Sequence, residues 1–397
     1  MKRIILALGA LFYAGVGTAQ RSLTLQSALQ AGQQQSLLLQ TATLDIQQQQ
    51  ALRRTAFDLP RTHVDMMYGR TQVVSTNDYT LGLVQSFAWP GLYRAQAELL
   101  NRNVGLSQNR LRLSRVELAS GIKRVYYQLL VNQQRLELLL RQDTLYQTAA
   151  RAATVRYQTG ETNRLEQVSA EARLREIRNR AANIQADISS QYQTLSAFLN
   201  TNDSLKIDVQ NPLKRPLPPD LAQLGNTPLL AVLRQQTAIN EQLTLVERQR
   251  LKPDLRVGVL NQSIENRHNQ NVAQAGVSLP IFAGAQKARI AAATLGEQAA
   301  RSQLAYTTRQ LGSQQAVLRR QIEKYQRSLS YYENTALPQA DLILDTALKS
   351  YRAGEIEYVE FFQNVQQAWQ LRESYLSEIE QYNQVVIELE TLLGYEN

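Results

Sequence analysis

One segment of the chain occurs twice, and this repeat constrains the fold more than any other feature of the sequence. RYQTGETNRLEQVSAEARL begins at Arg156, and SYRAGEIEYVEFFQNVQQAW begins at Ser350. The two align without a gap, and the paired residues lie 194 positions apart: Tyr157 with Tyr351, Gly160 with Gly354, Glu161 with Glu355, and Glu166 with Glu360. Because glycine lets a long helix turn back at little steric cost, each copy predicts a helical hairpin tip, over 157–167 and 351–361.

Two further landmarks repeat at almost the same spacing, which indicates two similar halves. Pro60 matches Pro253, and the segment that begins at Trp89 matches the one that begins at Phe282, both 193 positions apart. Chance similarity between helices would not keep this register through the segments around these landmarks as well. We therefore predict two repeats and a proline-containing linker between them: 20–200, 220–397 and the linker 201–219.

The N-terminal segment has the composition of an export signal. Lys2 and Arg3 precede an apolar run over 4–14 that is too short to span a bilayer as a helix. Small residues follow at 17–19, so we predict a signal peptide over 1–19, with a retained membrane anchor as the alternative. Beyond this segment there is no apolar run long enough for a transmembrane helix.

The hydrophobic period changes from helical to alternating in four short segments, which predict strands over 62–74, 79–89, 255–262 and 272–281. In the second of these segments, large apolar residues alternate with mostly small ones and form one face of the strand. We predict that this face contacts lipid: Tyr79, Leu81, Leu83, Phe87 and Trp89. Four strands are too few to close a barrel within one chain, although several chains together could close one. A small sheet packed on the helices of a soluble protein is the alternative.

The rest of the chain predicts long helices. One pattern runs from about Tyr93 to about Arg156 with apolar residues seven positions apart, which favours coiled-coil packing over an ordinary bundle core. At 1.5 Å per residue, some 60 residues reach roughly 90 Å. The chain then returns from Asn163 to about Leu199. The second repeat follows the same order, with a kink near Pro338 and a return helix to Leu393. Apolar residues on this return helix also recur seven positions apart, along one line through Phe362, Trp369 and Leu376 and another through Ile379, Val386 and Leu393.

The sequence contains no recognisable catalytic chemistry. It has no Cys, two His and three Met, so disulfides and thiolate metal sites are excluded. Phosphate-binding glycine loops, metalloprotease motifs and nucleophile motifs are also absent. The formal charge of +9 is not concentrated in the aromatic-interleaved basic clusters that nucleic acid requires. We therefore expect no enzyme, no cofactor, no resident metal and no nucleic-acid partner.

These features together resemble the TolC family of outer-membrane efflux ducts, over the whole chain that follows the predicted signal peptide. The two repeated segments are similar to the family's R-Y-x-x-G-x-x-x-x-L/V-D/E pattern. FDLPRTHVDMMYGR and VQSFAWPGLYRAQAELL look most like ducts attached to heavy-metal (Cus/Czc-type) RND pumps. The resemblance implies a mainly α fold with a small antiparallel β portion, in which long coiled-coil hairpins form an α-barrel tunnel.

The same resemblance implies a homotrimer in the outer membrane of a Gram-negative-type cell, with a long periplasmic portion. Three chains would contribute twelve strands to one transmembrane β-barrel. Conduction would be passive, with an inner-membrane RND pump supplying energy and a periplasmic adaptor (membrane fusion) protein docking at the hairpin tips. Heavy metal, drug and protein export are all compatible with the sequence.

The resemblance also implies a periplasmic gate at the hairpin tips. Its carboxylates would be Glu166 and Glu360, with Tyr351 as the partner of Glu166, and the tips themselves would include Tyr157, Gly160, Gly354 and Glu357. Two positions depart from the family pattern: Ile356 stands where a linking arginine is expected, and Gln363 where a second constriction carboxylate is expected.

A different class of protein is the alternative to a duct. A soluble periplasmic coiled-coil adaptor or interaction protein would also have long helices. An adaptor would have one hairpin flanked by β-rich domains, whereas this sequence predicts two hairpins and four strands.

Overall fold

The computed structural model describes residues 23–70, 77–207, 216, 218–219, 227–265 and 267–396. The predicted signal peptide, most of the predicted linker and the end of the first predicted strand lie outside the described residues. The chain divides into two compact units, one formed by residues 1–31 and 125–214 and the other by residues 32–124 and 215–397. These units cut across the sequence repeats, whose boundaries stay a prediction.

Long helices dominate the described residues, and the predicted fold class, mainly α with a small antiparallel β portion, is confirmed. None of these helices is both long and apolar enough to cross a membrane. The helices are α1 (Leu25–Gln35), α2 (Leu37–Leu52, followed by a 3-10 turn over Arg53–Phe57), α3 (Pro90–Gln158), α4 (Arg164–Leu199), α5 (Pro228–Gln249), α6 (Gly284–Tyr331), α7 (Leu337–Ala353) and α8 (Tyr358–Leu393).

The strands form one antiparallel sheet in the order β1-β2-β3-β4. Their bounds are His63–Gly69, Asp78–Phe87, Asp254–Ile264 and Arg267–Ser278. The central pair, β2 and β3, joins the two sequence repeats, because β2 comes from the first and β3 from the second.

Several strand boundaries differ from the prediction, and the reasons can be identified. β2 and β4 end before the predicted Trp89 and Ile281, just ahead of Pro90 and Pro280, which have no N–H to offer a ladder. Between the third and fourth predicted strands, the polar segment 263–271 is mostly strand, because β3 extends to Ile264 and β4 begins at Arg267. Asn261 pairs with Asn271 and Gln262 with Gln270, since backbone pairing continues where the side chains no longer alternate.

The last helix shows coiled-coil packing within the second unit. Buried residues on α8 recur at alternating spacings of three and four in two runs, as the seam of a coiled coil requires: Tyr358, Phe361, Val365 and Ala368, and then Ile379, Tyr382, Val386, Leu389 and Leu393. The predicted line through Ile379, Val386 and Leu393 is confirmed. Phe361 and Ala368 are fully buried where the prediction had Phe362 and Trp369, which are only half-buried one position away.

A buried ion pair ties α8 to the N-terminal half of α3 in the same unit. Lys123 Nζ lies 2.7 Å from Glu390 Oε2, with side chains 6% and 15% exposed. One turn away, Thr391 Oγ1 donates to Ser120 Oγ at 2.7 Å. A buried charge without its partner would lower the stability of the fold, so each of these two charged side chains depends on the other.

We expect Lys123→Met to lower the free energy of unfolding by about 3 kcal/mol, because it leaves the Glu390 carboxylate buried without its cation. Lys123→Met combined with Glu390→Met should recover most of this loss, since both charges are then gone. Denaturant unfolding followed by circular dichroism measures both. A double variant no more stable than the single one would contradict this reading.

Candidate functional site

The two hairpin tips share one backbone conformation. Gly160 and Gly354 have φ of 78° and 74°, a left-handed conformation that glycine adopts without strain. The N–H groups of Gly160 and Glu161 donate to the carbonyls of Tyr157 and Arg156, at 3.2 and 2.8 Å. The second tip repeats both bonds, from Gly354 to Tyr351 at 3.2 Å and from Glu355 to Ser350 at 2.9 Å. This is the Schellman pattern that ends a helix, and it turns the chain back at each tip.

Polar side chains connect the two helix ends at the first tip. Asn163 caps α4, because its side-chain oxygen accepts the N–H of Glu166 at 2.9 Å. The Glu166 carboxylate accepts a bond from Arg156 Nη1 at 3.2 Å and another from the Thr162 hydroxyl. The Glu166 side chain is consequently only 14% exposed. These contacts join the end of α3 to the start of α4 within one hairpin.

Aromatic rings hold the second tip instead. The rings of Tyr351 and Phe361 stack with centroids 4.6 Å apart, and Phe361 is 2% exposed. Tyr358 lies edge-on to Tyr351 at 6.5 Å and stacks on Phe362 at 6.2 Å. The second tip therefore has an apolar core where the first has a charged one.

The two predicted gate carboxylates have opposite surroundings. Both occupy the third position of a return helix, Glu166 in α4 and Glu360 in α8, close to the positive end of the helix dipole. Glu166 is bound within its own hairpin, whereas Glu360 is exposed and makes no hydrogen bond or ion pair with any described residue. Glu357 is the N-cap residue of α8, but its side chain makes no capping bond.

The predicted link between Glu166 and Tyr351 stays a prediction. The structure gives each of the two residues partners within its own hairpin. The partners that the sequence analysis missed are Arg156, Thr162, Tyr358 and Phe361. An alignment of the two repeats could have revealed these partners. Arg156 and Thr162 of the first repeat are replaced by Ser350 and Ile356 in the second, while Arg164 and Gln167 are replaced by Tyr358 and Phe361.

Further along the first hairpin, an ion network packs on a buried tyrosine. Arg173 donates to Glu176 at 2.6 Å and lies over the ring of Tyr146, and Arg180 donates to Glu176 from one turn on. Burial raises the pKa of Tyr146, although the nearby Arg173 opposes this. Burial also disfavours the charged form of Glu176, but the hydrogen bond and charge of Arg173 outweigh it and lower the pKa of that carboxyl.

One face of the sheet is apolar and exposed. Residues directly paired across antiparallel strands share a face, so the register places Leu81 beside Met66, and Leu83 beside Val64 and Val259. Leu81 and Leu83 are each 48% exposed, Met66 is 74% exposed and Val64 is 65% exposed. Other apolar members of this face are Tyr68, Tyr79, Phe87, Leu255, Val257, Ala273, Ala275 and Val277, and its polar members include Gln85, Asn261 and Asn271.

The opposite face carries mostly small and polar residues, together with the apolar Met67, Val84, Leu260 and Val272. Asp65, Gly82 and Thr80 lie on it, with Arg256, Gln262 and Gln274 from the other strands. Burial follows the predicted alternation over residues 80–83, because Thr80 and Gly82 are covered while Leu81 and Leu83 are exposed, whereas residues 84–87 are all half-buried. Trp89, 40% exposed, follows the end of the strand. Among the described residues, β1 and β4 each pair with one strand only, so each presents an unpaired edge.

Comparison with known proteins gives one relative in sequence and several in structure. No family model matches the chain. Cobalt-zinc-cadmium resistance protein CzcC of Cupriavidus metallidurans is 25% identical over 313 residues, which cover 77% of this chain and 74% of that protein. The structure of CusC, described in terms of transmembrane channel formation, has a TM-score of 0.79 at 17% identity and covers 94% of this chain and 92% of that one. The outer membrane channel CmeC of Campylobacter jejuni has a TM-score of 0.75 at 16% identity, covering 93% and 85%.

This chain therefore has the fold of outer-membrane channels, in which long helical hairpins accompany a small antiparallel sheet. The predicted resemblance is confirmed at this level: the chain is similar in sequence to a cobalt-zinc-cadmium resistance protein and in fold to TolC-like outer-membrane channels.

The unequal surroundings of the two carboxylates can be tested with a matched pair of variants. We expect Glu166→Ala to speed amide hydrogen exchange over residues 156–166 by about five- to tenfold, because it removes two side-chain bonds across the turn. Glu360→Ala should change exchange over 350–360 by no more than about twofold, since that side chain bonds to no described residue and loses only its interaction with the helix dipole. Equal effects of the two variants would contradict the assignment.

Proposed function

We propose that this chain is the outer-membrane exit duct of a tripartite efflux system and conducts its substrate passively. The observation that carries the proposal is the exposed apolar face of the sheet. A contiguous apolar face of this kind is rare on a soluble monomer and marks a contact with lipid or with protein. The fold shared with CusC and CmeC supports lipid as the contact.

The unpaired edges of β1 and β4 support assembly into a homotrimer. Lipid cannot satisfy the backbone N–H and C=O groups of an open edge, so a sheet of this kind is compatible with a bilayer only when it closes on itself. β1 of one chain would pair with β4 of the next, and three chains would give a barrel of twelve strands. The small and polar face, with Asp65, Thr80 and Arg256, would then line the interior.

The proposed role as an exit duct implies two protein partners. The hairpin tips would lie in the periplasm and dock on a periplasmic adaptor, while an inner-membrane RND pump supplies the energy. The alternative, that the chain is itself a soluble adaptor, receives less support. An adaptor has one hairpin between β-rich domains, whereas this chain has two hairpin tips and a single four-stranded sheet among its described residues.

The similarity to CzcC supports a heavy-metal cation as the substrate. The second tip is suited to such a cargo, because a trimer axis near it would bring three Glu360 carboxylates together. A ring of carboxylates favours cations over anions, as in cation channels. Deletion of the gene followed by growth on divalent metals, monovalent metals and lipophilic drugs separates the substrate classes.

The lipid contact can be tested with single spin labels, which are specific here because the chain has no native Cys. Labels at Leu81 and Leu83 should be accessible to oxygen dissolved in the bilayer, while labels at Thr80 and Gly82 should not. The reason is the two-residue period of a strand. Uniform accessibility to a water-soluble relaxing agent at all four positions would exclude a lipid-facing sheet.

The role of Glu360 can be tested by single-channel recording in planar bilayers. We expect Glu360→Gln to reduce the preference for cations over anions and to weaken block by divalent cations, with the trimer mass unchanged in detergent. Glu323→Gln, an exposed site on α6 away from the tip, is the control and should behave as the parent. Unaltered selectivity in Glu360→Gln would show that this carboxylate does not line the path.

A further inference from the structure

The two repeats differ in length by one residue, and the difference can be located. Trp89 and Phe282 lie 193 positions apart, whereas Tyr157 and Tyr351 lie 194 apart. The return helices α4 and α8 both contain 36 residues and end at left-handed residues, again 194 apart. The second repeat therefore carries its extra residue between Phe282 and the second tip.

The structure shows where that residue is accommodated. In the first repeat, α3 runs unbroken for 69 residues. In the second, a π-turn over Tyr332–Ala336 separates α6 from α7, and the N–H of Leu337 donates to the carbonyl of Tyr332, five residues back. A π-turn is what an α-helix forms when it takes in one additional residue without changing the faces that it presents on either side.

Pro338 weakens the helix at the same place. It has no N–H, and in a regular helix its ring would collide with the carbonyl of Asn334, four residues back. The wide turn lies where this collision would occur. The equivalent stretch of α3, around Thr144, has neither the wide turn nor a proline.

Side-chain contacts hold the π-turn against α8. The Tyr375 hydroxyl donates to Glu333 at 3.0 Å, and the rings of Tyr332 and Tyr375 lie 6.3 Å apart. Beyond the turn, α7 packs on α8 through small residues, because Ala336, Ala340 and Ala347 are the fully buried side chains of this stretch. Small side chains interlock less than a leucine seam would. The stronger contacts of α7 with α8 lie beyond Pro338, in the Asp341–Arg372 ion pair and in the stacked rings of Tyr351 and Phe361 at the tip.

We propose that the π-turn Tyr332–Ala336, together with Pro338, is a hinge that lets α7 and the second hairpin tip bend relative to α6. The first hairpin has no such hinge, because α3 is continuous up to its tip. The 17 residues of α7 form a lever of about 25 Å, so a bend of about 10° would displace the tip by about 4 Å. Hinges of this kind absorb a backbone change at a few residues and leave the packed helices intact.

Hydrogen exchange on the full chain in detergent tests the hinge directly. We expect the amides of residues 333–340 to have protection factors about tenfold lower than those of the equivalent residues 139–146 in α3. Deletion of Asn334 combined with Pro338→Ala should restore a continuous helix, keep the faces of α7 towards α8, and raise protection over this stretch to the level of 139–146.

A matched deletion provides the control. Removing Thr346, an exposed residue in a regular turn of α7, together with Pro338→Ala rotates the tip by about 100° and should lower protection throughout α7. Equal protection of 333–340 and 139–146 in the parent would overturn the hinge. A deletion at Asn334 that disrupts α7 as much as the deletion at Thr346 would also overturn it.

The consequence for gating rests on the proposed function and is measured separately. In single-channel recordings, the variant that lacks Asn334 and Pro338 should open less often than the parent. A parent that forms a channel whose open fraction is unaffected by this change would exclude the hinge from gating. A parent that forms no channel would contradict the proposed function, while hydrogen exchange would still decide whether the hinge exists.

Discussion

Reversal of the chain at each hairpin depends on one residue in a left-handed backbone conformation. At Gly160 and Gly354 the same pair of backbone bonds closes the preceding helix, and no side chain takes part in them. A residue with a Cβ would adopt this conformation only at a cost. Since the backbone alone makes the turn, the side chains around it are free to differ. The two tips use this freedom in opposite ways, one with an ion pair and the other with stacked rings.

Because of this difference, Glu166 and Glu360 have unlike surroundings although they occupy the same position in the repeat. At the first tip, Glu166 is committed to Arg156 and Thr162, so its charge is largely satisfied inside the hairpin. At the second, the aromatic core leaves Glu360 at the surface, where its charge can act on a passing ion or on a docking partner. A duplicated unit can thus keep one copy for stability and leave the other available for the selectivity proposed above.

The sheet unites the repeats by a different interaction. β2 and β3 pair through their backbones over eight residues of each strand. The side chains on either side of this seam separate into an apolar face and a polar face. In a single chain the apolar face and both outer strand edges are exposed, which is the observation on which the proposed trimer rests.

Much of this architecture could be read from the sequence, because it follows from local patterns. Long runs with a helical period predict α3, α4 and α8, and the two glycines predict the turns between them. The alternation of Tyr79, Leu81 and Leu83 with smaller residues predicts an exposed apolar strand face. The proline at 338 predicts an interruption of the helix. Each of these signals is local: a period, a single backbone conformation or a missing N–H group.

The tertiary structure decided what depends on contacts between distant residues. The ion pair of Lys123 with Glu390 joins positions that no local pattern connects. The seam of α8 passes through Phe361 and Ala368, and a heptad count alone placed it one residue away, because only the facing helix determines which of two adjacent apolar residues is covered. Likewise, each repeat contains a predicted gate carboxylate, Glu166 or Glu360, at the same position of the motif. Whether it is bound or exposed was decided by the residues folded around it.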